Sequence, residues 1–146
     1  MRVAVLIAAA LTALLAGRAQ AADGPFGEWL TEKRDARVLI APCADAPGRL
    51  CGTITWAQRP PDAPEGPLVD RHNSDPALRS RPILGLPLLG RFAPDGENFW
   101  DGGTIYDPRS GRTYKSKMRL AAPDRLEVSG CILFLCKGET WTRYRP

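Results

Sequence analysis

Tyr114, Ser116, Met118 and Leu120 alternate one for one with Lys115, Lys117 and Arg119. That pattern constrains the chain more than any other, because residues two apart share a face in a strand and not in a helix. One face of this segment is expected to be buried and the other wet. Seven further runs rich in β-branched and aromatic residues surround it: Gly27 to Glu32, Ala36 to Pro42, Leu50 to Ala57, Ile83 to Phe92, Asn98 to Tyr106, Arg125 to Gly130 and Gly138 to Tyr144. The alternating segment itself spans Arg112 to Leu120, and sustained helical periodicity is absent from residue 22 onward.

Pro94-Asp95-Gly96, Asp107-Pro108-Arg109-Ser110-Gly111 and Ala122-Pro123-Asp124 supply residues that preset or tolerate turn dihedrals, so the runs read as a meander of hairpins. Eight such strands predict an all-β, antiparallel up-and-down barrel, since closure removes the exposed edges of an open sheet; a two-sheet sandwich is the alternative. The connection between strands 3 and 4 differs. Gln58 to Pro82 carries six prolines, four acidic and four basic residues, too long for a hairpin. It reads either as a lid or as a structural cover, and Ser74 to Arg79 within it has the polar cap and early proline of one helical turn.

Arg2, an apolar run from Val3 to Leu15, Arg18 and the small-x-small triplet Ala19-Gln20-Ala21 follow the order of a cleaved signal peptide, residues 1–21, with the cut after Ala21. The run falls short of the roughly 20 residues that span a bilayer, so the chain is not expected to be an integral membrane protein. Residues 22–146 are expected to form one domain, periplasmic or secreted. Setting Arg2 and Arg18 aside leaves 18 basic against 16 acidic side chains, and scattered arginines at that balance make no nucleic-acid footprint. All four cysteines, Cys43, Cys51, Cys131 and Cys136, lie in this part. An even count in an oxidising compartment reads as two disulfides, with three connectivities available, and the spacings with a single histidine fit zinc poorly.

The run NSDPALRSRPILGLPLL, then FWDGGTIYDPRSGRTYKSKMRL, and finally GETWTR resemble the bacterial family DUF2147, as do the leading GEWLT and the PC…LCG hairpin. The likeness spans nearly the whole chain after residue 21. It implies a lipocalin-like barrel, in which the Trp of an initial Gly-x-Trp packs at the closed base beneath an Arg of the last strand. Here those residues are Trp29, after Gly27 and Glu28, and Arg143. A guanidinium over an indole contributes about 0.5–2 kcal/mol and would seal that end.

A barrel this small is either filled by side chains or holds one small, mostly apolar ligand. Trp56, Phe92, Phe99, Trp100, Tyr106 and Tyr114 are the aromatic residues expected to line it. An envelope interaction protein without a small ligand is the second reading; its surface would be Ile132-Leu133-Phe134-Leu135, held between Cys131 and Cys136 and placed at a membrane, a partner or the barrel's own mouth. A hydrolase is the third: His72 has Asp70, Asn73, Ser74 and Ser80 nearby, yet sequence neighbours seldom form a triad, and no nucleophile elbow, zinc motif or phosphate loop accompanies them. The partners expected are therefore a small hydrophobic ligand or an envelope component, with no cofactor, no metal and no catalytic residue. In the long connection, Arg79 or Arg81 is expected to pair with Asp70 or Asp75 and pin it over the barrel.

Counting connections orders the ends. In an eight-stranded meander the odd connections share one end and the even ones the other. Cys43 and Cys51 flank the second connection and Cys131 and Cys136 the seventh, about 20 Å apart along strands rising about 3.3 Å per residue. A disulfide needs α-carbons within about 7 Å, so only Cys43 with Cys51 and Cys131 with Cys136 suit the barrel. The same count gathers the long excursion, the Asp107–Gly111 turn and the apolar tip at one end, the expected mouth, opposite Trp29 and Arg143.

Overall fold

A computed structural model describes residues 24–146, and the signal-peptide expectation for residues 1–21 lies outside them. Eight strands run in chain order: β1 Gly27–Leu30, β2 Ala36–Cys43, β3 Ala46–Ala57, β4 Pro87–Pro94, β5 Phe99–Asp107, β6 Arg112–Ala122, β7 Arg125–Ile132 and β8 Leu135–Arg143. Each pairs antiparallel with the next, and β1 pairs with β8 through Trp29 opposite Arg143 and Leu30 opposite Thr142, closing the barrel. The chain is thus an up-and-down barrel and not a sandwich.

Several strand limits differ from the sequence reading, and three of the differences have a clear local reason. β1 stops at Leu30 because the Thr31 hydroxyl accepts from the Asp35 and Ala36 amides, turning the chain two residues earlier. β4 begins only at Pro87: Ile83 donates its amide to Leu68 of the excursion, and Gly85 and Leu86 meet β3 only through Ile54, outside the regular ladder. The β7–β8 hairpin is longer than expected, since Cys131 and Cys136 sit opposite each other inside the ladder and the loop shrinks to Leu133 and Phe134.

Alternating positions fill the interior, with Trp29, Val38, Ile40, Phe92, Met118 and Leu126 nearly inaccessible. Phe92 fits because Gly103 faces it; a Cβ there would lie 2.4 Å from the Phe92 ring. Burying each such side chain contributes about 1.5–3 kcal/mol. Both disulfides are local, Cys43–Cys51 and Cys131–Cys136, at the second and seventh connections.

Candidate functional site

The two ends of the barrel are finished differently. At the even-connection end, Trp29 is fully buried and donates its indole N–H to the Pro25 carbonyl at 2.7 Å. The Arg143 guanidinium lies 4.3 Å from the Trp29 ring centroid, and it donates to the carbonyls of Pro123 (2.6 Å), Phe26 (2.6 Å) and Gly24 (2.7 Å). Burial first, then the neighbouring Arg145, pull its pKa below the ordinary guanidinium value, while Asp124 opposes them. A cation stacked on an indole with three carbonyls around it leaves no entry there.

At the odd-connection end the barrel opens into a cavity of about 860 Å³. Ile54, Leu88, Ile105, Val128 and Trp141 form its apolar wall, joined by Tyr106, Tyr114 and Gly130. Two polar side chains of β8 also line it: Lys137 near the rim and Glu139, whose carboxylate accepts from the Trp141 indole N–H at 3.2 Å. The rim carries Lys33, Asp35, Arg59, Arg71, His72 and Arg109, with Arg109 paired to Asp35 between the fifth and first connections. The volume falls within the roughly 300–1,000 Å³ of small-molecule pockets, and the layout of apolar depth with a few polar groups is theirs too.

The excursion, residues 58–82, is anchored beside this opening by one buried carboxylate. Asp70 is wholly inaccessible and accepts from Arg81 Nε at 2.8 Å, Asn73 Nδ2 at 2.8 Å and the Tyr106 hydroxyl at 2.6 Å. Tyr106 belongs to β5, so this contact ties the excursion to the barrel wall. Burial, followed by the Asp70 hydrogen bond and charge, raises the Tyr106 pKa, with Arg81 and Asn73 opposing. The phenol therefore stays protonated and donates at neutral pH. Arg79 holds the Asn73 carbonyl at 2.8 Å and not an aspartate, while Asp75 caps the single 3-10 turn Pro76–Leu78 through the Ala77 amide. Gly111 is required where the fifth connection meets the excursion: its φ is +67°, and a Cβ would lie 1.8 Å from the His72 carbonyl oxygen.

Of the side chains expected at the mouth, Tyr106, Tyr114 and Ile132 line the cavity. Trp56 does not. A bulge between Arg37 and Val38 sets Val38 opposite Ile54 but Arg37 opposite Trp56, which flips Trp56 to the outer wall, where the Arg37 guanidinium lies 5.3 Å from its ring and 4.4 Å from Tyr144. Phe99 and Trp100 begin β5 at the fourth connection, the closed end; Phe99 pairs with outward-facing Arg119, and Trp100 with buried Met118. Phe92 fills the core. Leu133, Phe134 and Leu135 stand out in solvent and do not fold over the mouth. The Asp70 carboxylate is taken up by Arg81, Asn73 and Tyr106, and His72 lies on the rim of the cavity.

The sequence profile of a bacterial family described as "Uncharacterized protein conserved in bacteria (DUF2147)" matches residues 27–143. The chain belongs to the DUF2147 family. No curated protein sequence matches it. Among solved structures, the Helicobacter pylori protein HP1028, described as belonging to the lipocalin family, is similar in fold at a TM-score of 0.68 and 20% identity, over 82% of each chain. This member of DUF2147 is therefore a lipocalin-like barrel, and at that identity the likeness concerns the fold alone.

Proposed function

We propose that this DUF2147 protein binds one small, mostly apolar molecule inside the barrel, taken in through the end that carries the excursion. The observation that supports this reading is the 860 Å³ cavity with its wall of Ile54, Leu88, Ile105, Val128 and Trp141. Glu139 and Lys137, on the same wall, would select a polar group on an otherwise apolar ligand. With two disulfides and an apolar, basic-flanked N-terminal segment, the protein is inferred to work outside the cytoplasm, in the periplasm or secreted.

Titration with an environment-sensitive fluorescent hydrophobe tests the reading. Ile105→Trp should fill the cavity and reduce binding by at least about tenfold, whereas Trp56→Ala on the outer wall should leave it unchanged. Binding that survives Ile105→Trp and is lost with Trp56→Ala would refute the internal site.

A further inference from the structure

The β7–β8 hairpin ends in a surface that the cavity does not use. Ile132, Leu133, Phe134 and Leu135 are 63%, 87%, 87% and 70% exposed, four consecutive apolar side chains in water. Leu133 holds φ at 55°, left-handed backbone at the first position of a two-residue turn, where hairpins favour glycine. Large apolar residues thus occupy the apex despite both solvent exposure and backbone strain. Immediately behind them the Cys131–Cys136 bridge, with α-carbons 4.0 Å apart, cross-links the hairpin where an unsupported one would fray.

The charges around the apex select its partner. Lys115 lies opposite Cys131 and Lys117 opposite Ser129 across the β6–β7 ladder, while Lys137 lies opposite Gly130 across β7–β8. The nearest acidic side chain on these ladders, Glu139, lines the barrel interior and accepts from Trp141. An apolar apex backed by lysines complements an anionic bilayer, whose acyl boundary takes Leu133 and Phe134 and whose headgroups take the ammonium groups. Two residues beyond the disulfide reach about 7 Å, at about 3.3 Å per residue. Interfacial segments bury about 5–10 Å, so the reach fits. A protein partner would need far more area than four side chains supply, since stable interfaces bury roughly 1,200–2,000 Å².

We infer that the β7–β8 apex is a docking tip for anionic lipid surfaces. Ile132 and Lys137 belong both to the tip's base and to the cavity lining, so docking turns the open end of the barrel toward the lipid. The inference stands on the tip alone and does not require a ligand in the cavity.

Vesicle binding tests it, using residues 22–146, which contain every strand of the closed barrel. With vesicles of phosphatidylglycerol and phosphatidylethanolamine the protein should co-sediment, and Phe134→Trp should give a blue-shifted emission. The double variant Leu133→Ser, Phe134→Ser should keep the wild-type circular dichroism and bind at least about tenfold more weakly. Raising salt from about 0.1 M to about 1 M, or Lys115→Gln with Lys117→Gln, should also weaken binding. Equal binding by the serine variant, equal binding to phosphatidylcholine vesicles, or no binding to anionic vesicles would overturn the inference. So would a dimer in sedimentation velocity that the serine variant abolishes, which would assign the tip to a second copy of the chain.

Discussion

The closed and open ends of this barrel solve opposite problems with the same few residue types. At the closed end an arginine and an aromatic ring meet directly, Arg143 over Trp29, and the guanidinium is used up on three backbone carbonyls. At the open end Arg81 again approaches an aromatic ring, Tyr106 at 5.4 Å, but a buried aspartate takes the charge and the trio holds a 25-residue excursion to the side of a cavity. One arrangement excludes everything from the barrel axis. The other fixes a loop while leaving a cavity open beside it, and it is there that the proposed ligand would enter.

Removing the closed-end indole should have the largest effect. Trp29→Ala should cost about 3–5 kcal/mol in chemical denaturation, because it empties the base of the core. Arg143→Ala leaves the indole in place and removes the stacked cation with its carbonyl contacts; about 2–3 kcal/mol is expected, again as a global loss. Equal effects from the two would mean that the guanidinium, and not the indole, closes that end. At the open end the outcome should be local. Asp70→Ala should expose residues 58–82 to proteases at a cost of about 1–3 kcal/mol, with β-sheet circular dichroism retained, and Arg81→Ala should do the same more weakly because it is partly exposed. A loss of the sheet signal in Asp70→Ala would erase the distinction between the ends.

The smallest effect is one of pH. Tyr106 is raised above the ordinary tyrosine value of 10.0, mainly by burial and then by Asp70. A raised pKa means the folded state favours the neutral phenol, so its contribution is complete below pH 10.0 and disappears as pH rises through the folded value. In an absorbance titration, Tyr106→Phe should remove a transition lying above the ordinary tyrosine value, and cleavage of the excursion should rise over the same pH range. A Tyr106 that ionises at the ordinary tyrosine value would place it in solvent and detach the excursion from the wall.

Strand number, closure, both disulfides and the assignment of connections to ends were all legible in the sequence, because alternation and turn residues are local signals and the meander count carries them to the ends of the barrel. Which aromatics face inward was not. Trp56 shares parity with Ile54, yet the bulge at Arg37/Val38 turns it outward, and nothing local announces where a ladder slips by one residue. Phe99 and Trp100 are a different case: the fourth connection already places them away from the mouth, so the count that located the tip excludes them too. The alternation in GETWTR sets Glu139 and Trp141 on one face, but nothing local to the motif says that this face is the one turned into the cavity. Asn73 adjoins His72 in the sequence, but its part in the Asp70 network depends on Tyr106, 33 residues away.

The contrast between the ends can be measured in one experiment, NMR amide and indole spectra recorded with a nitroxide-bearing apolar probe. Binding through the open end predicts broadening at Ile54, Ile105, Tyr114, Val128 and the Trp141 indole, with the Trp29 indole and the Arg143 amide left sharp. Broadening centred on Trp29 and Arg143, or on the outer cluster of Trp56, Arg37 and Tyr144, would contradict the account.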